Sequence, residues 1–387
     1  MDAYLIGWSH TAFGKLADDT LESLIVRAVQ EAVSAARVDY EAIDEIVVGN
    51  FNSGFVPQGF PASLALQANP ALQYKPATRV ENACATGSAA ILQGIRCIQS
   101  GAARLVLVVG AEKMTSAPPA EINRGLISAS YVAEEAEAGS FAGLFGQIAN
   151  NYFQRFGNQS DALARIAAKN HRNGAANSLA HMQKDLGYEF CRTVNDKNPL
   201  VAGPLRRTDC STVSDGAAAL IIAGSEIARQ ADKAVRIRSM VQVNDFLPMT
   251  RRDMTRLEGC SRAWRLALDG AGVQLTDLSF VETHDCFTIA ELMEYEAMGL
   301  AGPGEGARVV FDGLTEPGGR LPVNLSGGLK AKGHPIGATG VSMHVMAAMQ
   351  LTGEYTGIKA RDPRLAGVFN MGGSGVANYV SILESAG

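Results

Sequence analysis

Two segments rich in small residues each carry one side chain suited to covalent chemistry. Cys84 lies in VENACATGSAAI, where a strand-like run gives way to a helix of small residues. A thiol at a helix start experiences the partial positive charge of unpaired N–H groups, which stabilises its thiolate form. His334 lies in KGHPIGATG, and the glycines around it predict a rigid turn with the imidazole at its tip. Such a base could deprotonate Cys84 and make it a strong nucleophile, although a buried cysteine and a structural histidine are the alternatives.

A third segment, VETHDCFTIAELM, places His284, Asp285 and Cys286 together where another strand-like run ends. A cysteine beside a histidine and an acid is either reactive or simply a small buried hydrophobic residue. Near the C-terminus, FNMGGSG carries Asn370 and Gly372 after a further apolar run. These segments supply the candidates for a reactive site.

Composition and charge exclude several classes of protein. The chain has 387 residues, of which 47% are hydrophobic and 19% charged, so it can bury a large core in two or three domains. A formal net charge of -5 without a basic run argues against binding to nucleic acid or to an anionic membrane surface. Six cysteines without a CxxC pair argue against a structural metal site. Because we find no signal-type start, no membrane-length apolar run and no peroxisomal address, we expect a cytoplasmic protein with reduced thiols.

Short apolar runs alternate with longer amphipathic ones along the chain. The short runs are rich in β-branched and aliphatic residues, as in strands of a sheet that is covered on both faces. Two segments, 20–36 and 260–272, instead carry the apolar spacing of helices. This alternation predicts an α/β protein. Strands are predicted at 44–51, 104–111, 217–224, 234–243, 278–284, 365–373 and 376–384.

The alternation occurs twice, so the two halves of the chain look duplicated. Each half has a helix and a strand, then a turn of small residues before a second helix and a strand. We predict an N-terminal half formed by 1–114 and 205–230 and a C-terminal half formed by 231–387. The polar, Gly-, Asn- and Ala-rich stretch 115–204 is predicted to be an inserted loop domain that covers the active site.

Taken together, Cys84 in its small-residue turn, His334 in GHPIGATG and the terminal NMGGSG resemble the thiolase superfamily along the whole chain. The HDCF tetrad is similar to that of the sterol-carrier-protein-type thiolases, and the chain looks acetyl-CoA acetyltransferase-like. The resemblance implies the thiolase fold, with five layers α-β-α-β-α built from two duplicated halves, usually in a homodimer or a dimer of dimers. It also implies Claisen condensation of coenzyme A thioesters, or the thiolytic reverse, in lipid and fatty acid metabolism.

The resemblance assigns the two chemical steps to particular residues. Cys84 takes up the acyl group, and His334 activates the Cys84 thiol by removing its proton. Most thiolases have a second cysteine in a C-x-G motif, but here Asn370 stands in its place, and an amide cannot exchange a proton near neutral pH. In thiolases of the HDCF type the tetrad supplies this acid and base, so the resemblance implies that Cys286 moves the proton at the α-carbon of the other acyl-CoA.

Two oxyanion sites follow from the same resemblance. His284, with His334, is expected to hydrogen-bond the thioester oxygen as it becomes an enolate, and preorganised donors of this kind contribute strongly to catalysis. The backbone N–H groups of Cys84 and Gly372 are expected to form the second oxyanion hole. Asp285 either orients a neighbour or is an exposed, solvated carboxylate.

The resemblance also points to residues that would contact coenzyme A. His171 and Asn177 lie in KNHRNGAANSLAH, which is similar to a loop segment that approaches coenzyme A, although polar residues on a helix surface would look the same. Ser211 stands where the family has a serine near the pantetheine. Arg206 and Arg207 could bind the nucleotide phosphates, with a solvated basic pair as the alternative.

The leading hypothesis is a thiolase, an acetyl-CoA C-acyltransferase that acts on coenzyme A thioesters and needs no metal or redox cofactor, because the thioester itself acidifies the α-carbon. A decarboxylating ketoacyl synthase-like enzyme could use Cys84, His284 and His334, but Cys286 would then have no role. A third hypothesis is an acyl-CoA-binding subunit that works with a small zinc-ribbon/OB-fold partner. The acyl chain length and the direction of the reaction do not follow from the sequence.

Overall fold

The computed structural model describes residues 2–386, which form a mixed α/β protein. The strands are β1 (Ala3–His10), β2 (Glu45–Gly49), β3 (Ala77–Val80), β4 (Leu105–Glu112), β5 (Leu200–Ala202), β6 (Leu205–Arg206), β7 (Gly216–Gly224), β8 (Val235–Asn244), β9 (Phe280–Glu282), β10 (Leu365–Gly372) and β11 (Ala377–Ser385). The helices are α1 (Leu21–Ala36), α2 (Thr86–Gln99), α3 (Pro119–Ile127), α4 (Val132–Glu135), α5 (Phe141–Phe156), α6 (Ser160–Ala175), α7 (Tyr188–Arg192), α8 (Ser225–Ala228), α9 (Glu258–Ala271), α10 (Thr288–Ala297), α11 (Gly306–Phe311), α12 (Gly328–Lys332) and α13 (Ile336–Leu351).

The strands of the first half are apolar on both sides because each face of the sheet is covered. In β4, Val106 and Val108 pack into one hydrophobic cluster, while Leu105, Leu107 and Val109 pack into another on the opposite face. Successive side chains of a strand point to opposite faces, so a continuous apolar run is what a doubly covered strand needs. The seven predicted strands and both predicted helices are present, with ends shifted by a few residues.

One continuous sheet joins the two duplicated halves. Its nine strands lie in the order β3-β2-β4-β7-β1-β8-β11-β10-β9, and a short antiparallel ladder between β1 and β8 connects the halves. Helices α2 and α13 pack against each other, and α13 contacts strands of both halves. Helix α1 covers the outer face of the first half and α9 that of the second. The five-layer α-β-α-β-α arrangement that the resemblance implies is therefore confirmed.

The fold has one long strand that the sequence predictions lack. Strand β1 is not among the predicted strands, because Gly7 and the polar residues near its end interrupt the apolar run. The stretch 115–204, predicted to be an inserted loop domain, contains the long helices α5 and α6, and α6 buries a polar face. The domain boundaries remain a prediction, and their terminal residues 1 and 387 lie outside the described residues. Between residues 2 and 386, no helix combines the length and apolar character needed to cross a bilayer.

The contact between α2 and α13 is made through glycine backbone. A Cβ atom placed on Gly87 would lie 2.7 Å from the backbone nitrogen of Val341, and one on Gly340 would lie 2.2 Å from the backbone nitrogen of Ser88. Any side chain at these positions must therefore push the helices apart. Cys84 directly precedes α2 and His334 directly precedes α13, so this contact brings the two candidate residues to the same end of the central layer.

We predict that Gly340→Ala lowers the free energy of unfolding by about 1–3 kcal/mol, because the added methyl group overpacks the helix contact. The loss should occur even though alanine favours a helix more than glycine does. Urea unfolding of the purified protein measures it. Gly318→Ala is the matched control, since a Cβ atom there meets nothing within 4 Å. Equal stability of the two variants would show that the helix contact is not close-packed.

Candidate active site

Cys84 lies in a tight turn between β3 and α2. Ala83 adopts a left-handed backbone with φ of 49°, which is uncommon for a residue with a side chain and marks a constrained turn. The Thr86 hydroxyl donates to the carbonyl of Ala83 (2.6 Å) and accepts from the backbone N–H of Asn82 (2.8 Å). These bonds fix the backbone on both sides of Cys84. The Cys84 thiol itself is buried and is hydrogen-bonded by the backbone N–H of Gly373.

His334 is held by its own loop in one tautomer. The Thr339 hydroxyl donates to the carbonyl of Pro335 at 2.9 Å, so its oxygen is free to accept from Nδ1–H of His334 at 2.6 Å. With the proton on Nδ1, the Nε2 of His334 carries a lone pair. This nitrogen can take a proton from a neighbouring thiol.

The structure brings the predicted catalytic side chains together. The sulfur of Cys84 and a ring nitrogen of each of His284 and His334 lie within 4.8 Å of one another. The two imidazole rings meet edge to face, with centroids 5.3 Å apart. Cys286 is buried beside them and lines the same cavity as Cys84 and His334.

The cavity that these residues share has a volume of about 180 Å³. Its wall is mostly apolar, with a few polar groups near the two cysteines, as is typical of a small-molecule site. Its largest apolar lining residues are Met114, Leu126, Phe141, Val213 and Phe287. Such a wall suits an acyl chain better than a charged ligand.

Burial sets the protonation state of the site. It raises the pKa of Cys84 to about 12 and lowers the pKa of His334 to about 3. Removal from water disfavours any charged form, and here it outweighs the hydrogen bond from Gly373 to the sulfur. The expectation that the helix start keeps Cys84 as a thiolate is therefore wrong for the resting protein. The resting pair is a neutral thiol beside a neutral imidazole.

Cys286 is held in its protonated form by the same cause. Burial raises its pKa well above the usual value, and the nearby sulfur of Cys84 raises it further. Burial likewise lowers the pKa of His284 well below its usual value, with His334 adding to the effect. A protonated thiol and a neutral imidazole are thus the two groups that the HDCF tetrad presents.

Asp285 is buried, which rules out the alternative of an exposed carboxylate. Its oxygens accept the backbone N–H groups of Leu329 (2.6 Å) and Lys330 (3.2 Å) and the amide of Asn170 (2.7 Å). Burial and the neighbouring Glu291 raise the pKa of Asp285 to about 7. Asp285 thus ties the HDCF segment to the first turn of α12, which leads directly to His334.

A buried polar network lies behind Asp285, and the sequence carries no signal for it. Glu291 accepts from the ammonium of Lys169 (2.5 Å) and from the amide of Asn170 (2.5 Å). Asn170 also bonds Asp285, so it connects the two carboxylates. Lys169 and Asn170 lie on α6 inside the stretch predicted to be a loop domain, and their roles depend on partners more than 100 residues away.

Three of the residues expected to contact coenzyme A have other partners in the structure. His171 is buried with Nε2 3.3 Å from Nζ of Lys330, and Asn177 donates to the carbonyl of Ser326 at 2.9 Å. Arg206 is buried in an ion pair with Asp209, 2.8 Å from Nε to Oδ2. The guanidinium of Arg206 is thus already paired, and the prediction that it meets a phosphate is corrected.

Ser211 and Arg207 are placed differently from these three. Ser211 lines the cavity, and its backbone N–H donates to the carbonyl of Cys286 at 2.9 Å. Arg207 is exposed on the surface next to the buried Arg206, where it remains a candidate for phosphate binding. Gly372 packs against the Cys84 turn, since a Cβ atom on it would lie 2.6 Å from the carbonyl of Asn82. The backbone N–H of Gly373, rather than that of Gly372, reaches the Cys84 sulfur.

Comparison with known proteins identifies the family. The models of the thiolase N-terminal domain and the thiolase C-terminal domain-like region match residues 3–188 and 242–385. The chain is 35% identical over 387 residues to acetyl-CoA acetyltransferase of Methanothermobacter thermautotrophicus, and 36% identical over 395 residues to that of Methanocaldococcus jannaschii, with 99% of each chain covered. It is 29% identical over 407 residues to sterol carrier protein 2 of Oryctolagus cuniculus, covering 97% of this chain and 70% of that protein. The chain belongs to the thiolase family, so the resemblance drawn from its motifs is confirmed.

Solved structures share the fold at lower sequence identity. The Ltp2-ChsH2(DUF35) aldolase superposes with a TM-score of 0.85 at 20% identity, covering 99% of this chain and 98% of that chain. The Acat5 thiolase of Ascaris suum, solved in complex with coenzyme A, superposes with a TM-score of 0.76 at 17% identity and covers all of both chains. Both likenesses concern the fold alone.

We predict that alkylation of Cys84 by iodoacetamide is nearly independent of pH between about pH 5 and pH 9, because the neutral pair exchanges its proton internally below the pKa of Cys84 and above that of His334. In His334→Ala the Cys84 thiol must lose its proton to water. Alkylation of Cys84 should then be slower, and its rate should rise about tenfold per pH unit. Peptide mass spectrometry follows the modified cysteine. Cys97, which is only partly buried, is the internal control. If alkylation of Cys84 in the wild-type protein also became tenfold faster per pH unit, the Cys84–His334 pairing would be contradicted.

Proposed function

We propose that this thiolase is an acetyl-CoA C-acyltransferase, which cleaves 3-oxoacyl-CoA with coenzyme A or runs the reverse Claisen condensation. The observation that carries the proposal is that Cys84, Cys286 and His334 line one buried cavity, with His284 within 4.8 Å of the Cys84 sulfur and a nitrogen of His334. The relatives from Methanothermobacter thermautotrophicus and Methanocaldococcus jannaschii are named acetyl-CoA acetyltransferase and match over 99% of their length, which supports an acyltransferase.

The first half of thiolysis forms an acyl-cysteine. The Cys84 thiol gives its proton to Nε2 of His334, and its sulfur bonds to the 3-oxo carbon of the substrate. The bond between C2 and C3 then breaks, and its electron pair leaves as the enolate of acetyl-CoA. The acyl group stays on Cys84. Proton transfer within the pair is consistent with its neutral resting state.

The second half requires a separate acid and base. The Cys286 thiol protonates C2 of the enolate, which releases acetyl-CoA and leaves Cys286 as a thiolate. Coenzyme A gives its thiol proton to Cys286 and attacks the acyl group on Cys84. The shortened acyl-CoA leaves, and Cys84 recovers its proton from His334. Cys84 cannot supply the proton for C2, because its sulfur carries the acyl group at that moment.

The negatively charged oxygens that form in these reaction steps need hydrogen-bond donors in a site without water. His284 Nε2 is buried without a hydrogen-bond partner among the residues described, so it is free to bond the enolate oxygen. The backbone N–H groups of Cys84 and Gly372 are proposed to bind the tetrahedral oxygen, as the resemblance implies, and the neighbouring N–H of Gly373 contacts the sulfur. The proposed chemistry uses the acidity of the thioester and calls for no metal or redox cofactor.

The position of Cys286 also favours the thiolase reaction over that of a decarboxylating ketoacyl synthase. Loss of carbon dioxide generates a carbanion without proton abstraction, so that reaction has no use for a second thiol. In the structure Cys286 lies in the cavity wall and close enough to Cys84 to raise its own pKa further. We therefore retain the thiolase reaction.

We predict that Cys286→Ala lowers the kcat for thiolysis of acetoacetyl-CoA by on the order of 10²–10⁴-fold, because C2 of the enolate loses its proton donor. Spectrophotometric loss of the 3-oxoacyl-CoA enolate measures the rate. Cys260→Ala is the matched control, since Cys260 is equally buried but lies in α9 outside the cavity. Wild-type turnover in Cys286→Ala would rule out the proton transfer that we assign to this thiol.

We further propose that the chain acts as a homodimer through the edge strand β3. Thr78 and Arg79 of β3 are exposed, and a surface cavity of about 570 Å³ lies beside this strand. At the other end of the sheet, β9 is covered, because Val281 pairs with Val323. An open edge strand next to a groove favours pairing with a second copy. A cytoplasmic location stays a prediction from the sequence.

Thr78→Lys should weaken this dimer by roughly tenfold, or about 1.4 kcal/mol, because two lysines would meet across the paired edges. Analytical ultracentrifugation over a concentration series measures the dissociation constant. Thr276→Lys, at an exposed position outside the edge strand, is the control. A wild-type protein that is monomeric throughout the series contradicts the proposed dimer.

A small protein partner is part of the same proposal. One structure with this fold is the Ltp2-ChsH2(DUF35) aldolase, in which the chain of this fold is named together with a second component. The sequence raised the same idea as a zinc-ribbon/OB-fold partner that delivers acyl-CoA. The complete set of catalytic side chains in this chain favours an enzyme that keeps its own activity with or without such a partner.

A further inference from the structure

His284 can act as a donor only if its proton sits on Nε2, and a single neighbour decides this. We propose that Asn370 is a positioning residue that locks His284 in the tautomer with the proton on Nε2. This inference rests on the proposed function, since a donor matters only where an enolate forms. Asn370 stands where most thiolases carry a second catalytic cysteine.

Strand register places Asn370 beside His284. Strands β9 and β10 run parallel, and Val368 pairs with Glu282. Two residues further along, Asn370 lies within β10 and His284 lies just beyond the end of β9. Both side chains are buried, and Nδ2 of Asn370 lies 2.9 Å from Nδ1 of His284.

The carbonyl of Cys84 fixes which way the amide of Asn370 faces. Nδ2 of Asn370 lies 3.1 Å from that carbonyl oxygen. A carbonyl only accepts hydrogen bonds, so the NH₂ group and not the amide oxygen must face it. The second hydrogen of the NH₂ group then points to Nδ1 of His284. Nδ1 must accept, so the single proton of the neutral ring lies on Nε2.

The two histidines of the site therefore hold opposite tautomers. His334 has its proton on Nδ1 because Thr339 accepts it, and its Nε2 is a base. His284 has its proton on Nε2, which is buried and has no partner among the residues described. One ring can take a proton while the other donates a hydrogen bond. Neither role can be exchanged without turning a buried side chain.

Asn370 also joins the two halves of the catalytic site. Its amide bonds the nucleophile turn through the Cys84 carbonyl and the HDCF segment through His284. A cysteine at this position could not bridge two acceptors with two N–H groups. The amide of Asn370 and the imidazole of His284 therefore work as one unit.

Asn370→Asp tests the proposal with almost no change of shape. A carboxylate only accepts, so it would draw the proton of His284 to Nδ1 and leave Nε2 as a lone pair. We expect kcat for thiolysis to fall by on the order of 10²–10³-fold, as for the loss of one oxyanion donor, with KM within a few-fold of wild type. Asn378→Asp is the control for burying a carboxylate, because Asn378 is buried on β11 and bonds only backbone carbonyls.

A measurement of the tautomer needs no variant and no activity. Nitrogen-15 NMR of the wild-type protein with labelled histidine distinguishes protonated from unprotonated ring nitrogens, and a His284→Gln spectrum assigns the signals. We expect the proton of His284 on Nε2 in the wild type and on Nδ1 in Asn370→Asp. A wild-type proton on Nδ1 would overturn the proposal, as would an Asn370→Asp variant with unchanged kcat. If the wild type shows no thiolysis, the proposed function fails, while the NMR result still decides the role of Asn370.

Discussion

The whole site depends on the close approach of two helices that start at the same end of the central layer. Gly87 and Gly340 allow α2 and α13 to touch through backbone atoms. Cys84 precedes one helix and His334 the other. The distance between the two helices therefore sets the distance between the Cys84 thiol and the His334 imidazole. A catalytic pair assembled from two halves of a chain needs a contact this rigid, since a side chain at either glycine would move the nucleophile away from its base.

Burial then decides how the site can work. The dry environment keeps the Cys84 thiol, the Cys286 thiol and both imidazoles neutral. Charge appears only during the reaction, when donors already in place can stabilise it at little cost of reorganisation. In the proposed reaction each proton passes to a neighbour inside the cavity and not to water. A helix start beside a cysteine is a weaker influence than complete removal from solvent.

The catalytic segments are held in register by polar groups that are themselves buried. Asp285 holds the first turn of α12, and Asn170 links Asp285 to the Glu291–Lys169 ion pair. Buried charges are tolerated when each is paired and hydrogen-bonded, and their removal leaves partners without a bond. This network lies behind the HDCF strand end, so the apolar cavity in front can stay free of fixed charge. Lys169 and Asn170 of α6 belong to this support.

The sequence by itself determined the α/β class, the duplicated halves and the four side chains that meet in the site. These features follow from local patterns, namely the periodicity of apolar residues, turns of small residues and short motifs. Such patterns can be recognised without knowledge of distant contacts. Only the tertiary structure decided the burial of Asp285, the pairing of Arg206 with Asp209, and the neutral state of Cys84. It alone placed Asn370 between Cys84 and His284, across 286 and 86 residues of chain. Burial sets the protonation state of the thiols and imidazoles, and long-range hydrogen bonds set the tautomer of each histidine. Neither burial nor these bonds can be inferred from neighbouring residues in the sequence.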